Sequence, residues 1–173
     1  VLLTDYPQTR FKETALLSQI EIYRRMKNYP CELERIQAYT QAFGDKENKY
    51  QFRMAELEEL QKGVSADEAR LLARKNQGDK IAEFELAKFY YENSRGQEAL
   101  DMMTILQKED KAVAGACANN FIGDIAYGKG EYKEALQNYA ATVSGYKATP
   151  DEISEALYKL AYCYYKLGAK EQA

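Results

Sequence analysis

The chain has 173 residues and not one histidine. The commonest general base, triad member and metal ligand is therefore absent from the outset. Cys31, Cys117 and Cys163 are three in number and far apart. They lack the close pairing that metal sites and redox motifs use and read as small apolar residues on helix faces. Gly128-Lys129-Gly130 has the outline of a phosphate loop without its flanking pattern, and it falls where a helix must turn. Acidic pairs are scattered as on any soluble helix. No catalytic, cofactor-binding or metal-ligating residues are expected, and the chain reads as non-enzymatic. What stands out is 15 tyrosines beside 6 phenylalanines and no tryptophan. A tyrosine can pack its ring while its hydroxyl reaches water, which suits half-exposed helices and interfaces.

The elements that would carry these rings show in the spacing of small residues. Ala87, Gly123 and Ala161 are separated by 36 and 38 residues, with Ile20 a bulkier counterpart 67 residues before Ala87. Five residues earlier stand Ala15, Ala82, Ala118 and Ala156, and twelve residues later Ala99, Ala135 and Ala173. Small residues at such positions let one helix lie against the next, so Gly123 and Ala135 are expected to touch. Gly130 and Gly168 fall seven residues after the small residue, where a helix ends. A period near 36 with two helices per period predicts a helical repeat array.

Apolar periodicity predicts helices over 10–26 (Ala15, Leu16, Ile20 and Tyr23 on one face), 30–43, 46–62, a segment begun by Ser65 with Glu68 completing a capping box, 80–93, 96–108, 113–129, 132–146, and 150–167 after the Thr149-Pro150-Asp151-Glu152 start. Breaks are expected near Gly44, Gly63, Gly78, Ser94, Gly130 and Thr149. Residues 45–78 keep the length of a unit but not its motif, and Glu56, Glu58, Glu59 and Lys62 read as a solvated face. The expected fold is all-α: antiparallel helix pairs over 1–173, one domain.

These residues resemble the tetratricopeptide repeat (TPR), a helix-turn-helix unit of about 34 residues. The junctions Asp5-Tyr6-Pro7-Gln8-Thr9-Arg10-Phe11 and Tyr146 to Pro150, with the segment from Ala156 to Gly168, are similar to those of bacterial cell-envelope members, the BamD-like and Tol-Pal-associated proteins. The resemblance implies a right-handed α-solenoid whose first helices line a concave groove. Mapped onto this chain, the groove positions are Tyr91, Tyr127 and Tyr165 (with Arg24 upstream), then Lys88, Asp124 and Tyr162, then Phe84, Asn120 and Tyr158, with Lys166 at the edge. The same rings read equally as packing between helices, as Tyr90 and Tyr164 do. A carboxylate clamp of the kind one subclass uses needs Lys and Asn donors. Asn120 is in place, but Asp124, Tyr158 and Tyr162 stand where the others belong. The resemblance thus implies a helical or extended peptide lying on tyrosine and a periplasmic or envelope-associated setting, whereas the odd cysteine count disfavours an oxidising compartment and leaves a cytoplasmic one open.

Hydrophobic residues make up 46% and charged residues 29%, with a net charge of −3 and signs interspersed, so no footprint for nucleic acid or an anionic membrane is present. No stretch approaches the roughly 20 apolar residues of a membrane-spanning helix. Without an initial Met, and ending where a helix should begin, the chain reads as a piece of a longer protein. A protein or peptide partner is expected. The alternatives are a self-assembly module that makes a homo-oligomer, and an accessory domain of an enzyme whose site lies elsewhere.

Overall fold

A computed structural model describes residues 10–169, so the Tyr6-Pro7 junction and Ala173 lie outside the described residues. The described residues form nine α-helices and no strand. Contacts group the chain into two compact units, Val1–Gln77 and Gly78–Ala173.

The first unit contains α1 (Arg10–Arg25), α2 (Tyr29–Phe43), α3 (Gln51–Gln61) and α4 (Ala66–Asn76), each packed on the next. Asn28 caps α2 by accepting from Cys31 N at 3.3 Å, and Pro30 sits in the first turn, where its missing N–H costs nothing. Ile20, Ile36, Tyr50 and Leu57 form the core of this unit. Burying each such side chain contributes about 2 kcal/mol. The pairs run antiparallel: the Tyr39 hydroxyl meets Glu13 near one end of α1, and Arg24 meets Glu32 near the other.

The expected helix over 46–62 is corrected in its first turn. Lys46–Asn48 is a 3₁₀ turn in which Glu47 and Asn48 adopt φ of 62° and 54°. The α-helix starts at Gln51 because the Asp45 carboxylate caps it, accepting from Tyr50 N and Gln51 N at 3.0 Å. The acidic face is corrected too. Glu59 is buried and pairs with Lys62 at 2.7 Å, and Glu56 is half-buried against Arg53 at 2.9 Å. Only Glu58 of these glutamates is freely solvated. Ser65 accepts from Glu68 N at 3.2 Å and begins α4 as its sequence predicts.

The second unit contains α5 (Lys80–Glu92), α6 (Gly96–Glu109), α7 (Val113–Gly128), α8 (Tyr132–Gly145) and α9 (Pro150–Lys166). Consecutive helices pack, and α5 touches α7 as α7 touches α9. Helix α7 therefore has neighbours on four sides. Its sequence is fitted to that place, with Ala114, Gly115, Ala116, Ala118, Gly123 and Ala126 all buried. Gly130 turns the chain out of α7 at φ 81°, and Thr149 and Glu152 close a reciprocal capping box on α9.

The small-residue register holds in part. Ala82, Ala118 and Ala156 are wholly buried, as are Ala87 and Ala135, and Ala99 nearly so; Ala15 and Ala161 are half-buried. At Gly123 the atoms nearest an added Cβ belong to the Tyr139 ring, one turn along α8 from the expected Ala135, and Ala135 packs in one cluster with Ala126, Tyr139, Ala156 and Cys163. The reason is the antiparallel crossing of α7 and α8, which brings 123 opposite 139 and 126 opposite 135.

Candidate functional site

Helices α7 and α9 run parallel and are laced at one 35-residue offset: Cys117 Sγ donates to Glu152 Oε1 at 3.1 Å, and Lys159 Nζ donates to Asp124 Oδ2 at 2.7 Å. Between them, at the C-terminal end of α7, opens a cavity of about 460 Å³. Tyr127, Tyr158 and Tyr162 line it together with Asp124, Tyr139 and Lys159. Tyr158 and Tyr162, one turn apart on α9, stand with ring centroids 5.1 Å apart and planes inclined at 53°. Tyr127 is set by an edge contact with Tyr132 at 5.2 Å.

Charge sits at the bottom of this cavity. The buried Tyr139 donates its hydroxyl to Asp124 Oδ1 at 2.6 Å, and Lys159 bridges Asp124 to Glu155, 2.6 Å away. Burial and the bond to Asp124 push the Tyr139 phenol well above its usual range. For Lys159, burial favours the neutral amine, but hydrogen bonds to the two carboxylates outweigh it and raise its pKa. Both shifts favour a neutral phenol at Tyr139 and a charged ammonium at Lys159.

Farther toward the start of α7, Asn120 is only 6% exposed and donates Nδ2 to the Glu152 carbonyl at 3.4 Å. It faces the seam between helices, not an open groove. Burial and the hydrogen bond to Glu152 push the Cys117 thiol up to about 12, which keeps it protonated and a poor nucleophile. Cys163 is also raised by burial, and all three cysteines are free thiols.

Of the ten residues placed on the groove by resemblance, Asp124, Tyr127, Tyr158 and Tyr162 come together in the cavity. Tyr165 is exposed beside Tyr162 and Ala161, at a second depression of about 420 Å³. Lys88 and Lys166 are exposed. Phe84 packs against the Ala87–Met103 core, and its ring lies 6.3 Å from Phe121. Tyr91, 41% exposed, meets Phe121 edge-on at 5.4 Å. The rings pair as Tyr91–Phe121, Tyr127–Tyr132 and Tyr158–Tyr162. Arg24, the upstream counterpart, is bonded to Glu32 within the first unit.

Sequence reasoning missed Tyr139 and Lys159. Tyr139 lies on a second helix and Lys159 between two groove positions. Opposite polarity recurring at 35 residues, 117 with 152 and 124 with 159, was the available signal. Among the described residues no cluster of acidic or thiol groups is placed to hold a metal, and no helix is long and apolar enough to cross a membrane. Set against protein-family models, curated proteins and solved structures, the chain matches none of them.

Proposed function

We propose that the chain is a non-enzymatic adaptor, a TPR-like helix-pair array whose Tyr-rich face holds a protein segment. The observation that carries this reading is the cavity between α7 and α9, walled by the exposed Tyr158 and Tyr162 and by Tyr127, which is half-buried against the Ala126–Tyr139 core. The succession of contacts α5–α7–α9 supports a solenoid arrangement, because successive first helices touching in a row present equivalent positions side by side. Tyrosine on a rigid helix is a frequent hot-spot residue. The envelope setting is part of the proposal through the junction resemblance alone.

The reading is tested by panning a displayed random peptide library on the chain. Tyr127→Ala should weaken a recovered peptide by about 1 kcal/mol or more with the fold intact. Peptides that bind the Tyr127 variant unchanged would sink it.

A second reading, self-assembly, is favoured by one observation. Leu157 and Tyr165, both on α9, are 50% and 59% exposed, with a depression of about 420 Å³ beside Ala161 and Tyr165. A concentration-dependent mass in light scattering, abolished by Leu157→Lys, would support it.

A further inference from the structure

We propose that the cavity between α7 and α9 receives a cationic side chain, an arginine or lysine of the bound segment. This rests on the peptide-binding reading and specifies which residue of the segment enters the cavity.

Three of the walls are aromatic. Tyr158 and Tyr162 are 65% and 47% exposed and form an open corner, with Tyr127 a third wall fixed by Tyr132. Each face carries the negative lobe of an aromatic quadrupole, which attracts a cation within about 6 Å of the centroid. The charge below has the same sign. Asp124, which lines the cavity, and Glu155, one turn before Lys159 on α9 and outside the lining, supply two carboxylates against the single ammonium of Lys159, so the cluster as a whole has one carboxylate in surplus. The Asp124 side chain is 39% exposed, so it can still accept a donor from the cavity side.

The other occupants fit worse. An acidic side chain would meet both the ring faces and the surplus carboxylate. An apolar one would cover the rings but strip water from the half-exposed Asp124 without adding a donor to it. A planar guanidinium satisfies both demands, stacking on tyrosine while its N–H groups reach Asp124.

The test titrates the whole chain with the blocked tripeptides Gly-Arg-Gly, Gly-Leu-Gly and Gly-Glu-Gly, following the tyrosine ring resonances by NMR. Gly-Arg-Gly should shift Tyr127, Tyr158 and Tyr162 saturably, at least about threefold more tightly than Gly-Leu-Gly. Glu155→Gln, on a side chain 57% exposed, should weaken it about two- to fivefold, and Lys159→Gln should tighten it by a similar factor. If Lys159→Gln fails to fold, Glu155→Gln carries the same test with the opposite sign. Equal or tighter binding of Gly-Leu-Gly at the same rings, or arginine binding indifferent to Glu155, overturns the cation inference and leaves the peptide-binding reading standing. No response of these rings to any tripeptide overturns both.

Discussion

In the first unit the seam joining α1, α2 and α3 is closed by a carboxylate. Glu32 is wholly buried and accepts from Arg24 Nε at 2.9 Å, and from Arg53 through Nε at 2.9 Å and Nη2 at 2.7 Å. The second unit closes its α6–α7–α8 seam with neutral groups. The wholly buried Asn119 donates to the Asn138 carbonyl at 2.6 Å and to Thr142 Oγ1 at 3.1 Å, and Gln107 reaches both Asn119 and Asn138. Around these amides alanine and glycine allow close approach. The difference shows two ways to fix one helix register. A buried charge does so through bidentate geometry, and it depends on every partner being present. A small-residue seam does so through shape, and it depends on nothing being added.

The sharpest way to break that contrast is to remove one cation. Arg53→Met leaves Glu32 buried with Arg24 alone, so the first unit should lose about 3 kcal/mol, read as lost hydrogen-exchange protection in α1 to α3. Protection unchanged in those helices would mean the carboxylate is not what closes the seam. Acid should act on the same group. Burial pushes the Glu32 carboxyl up, but hydrogen bonds from Arg53 and Arg24 outweigh it, so its folded pKa lies below the ordinary glutamate value. A depressed folded pKa contributes stability that is present above the unfolded value and is lost as pH falls through the folded one. Below about pH 4, α1 to α3 should therefore lose protection before α6 to α8, whose amide and hydroxyl seam does not titrate. Simultaneous loss in both sets would erase the distinction.

The second unit should fail by addition. A Cβ at Gly123 would lie 2.7 Å from Tyr139 Cε1, and that ring is wholly packed with its hydroxyl tied to Asp124. Gly123→Ala should cost about 1 to 3 kcal/mol in chemical denaturation. Gly128→Ala, at a helical glycine with no atom within 4 Å of the new Cβ, should be neutral or stabilising by up to about 1 kcal/mol. Equal effects at both glycines would show that backbone propensity, not the Tyr139 contact, governs this seam.

Features governed by local chemistry were legible in the residues. Gly44, Gly63, Gly78 and Gly130 all take positive φ at helix ends, and Ser94 takes φ 65° in the turn after α5. Ser65 and Thr149 begin helices through side-chain caps. Features that depend on which helix lies opposite were not. Glu32, between Cys31 and Leu33, looks like any surface glutamate until Arg53, 21 residues away, is brought onto it. The turn at Lys46–Asn48 was hidden because Asp45 caps a helix starting six residues later. Part of the cavity was legible because Asp124 and Tyr127 recur on α7, and Tyr158 and Tyr162 on α9, at positions the repeat register marks. Tyr139 and Lys159 needed the antiparallel crossing of α8 and the parallel offset of α9, which a single repeat register does not carry.

The smallest destabilisation expected joins the second unit's stability to its cavity. Thr149 N and Oγ1 donate to Glu152 Oε2 at 2.8 and 2.7 Å, while Glu152 Oε1 takes the Cys117 thiol across from α7. Burial raises the Glu152 carboxyl, but the bonds from Cys117 and Thr149 prevail and lower it, so one carboxylate both caps α9 and pins its start to α7. Thr149→Ala removes the hydroxyl and should cost about 1 kcal/mol. Because α9 carries Tyr158, Tyr162 and Lys159, fraying of its first turn should also broaden the ring resonances of Tyr158 and Tyr162, with those of Tyr39 and Tyr50 in the first unit unchanged. A loss of stability with Tyr158 and Tyr162 unaffected would show that the cavity is held by the Asp124–Lys159 bridge alone and that the cap serves only the fold.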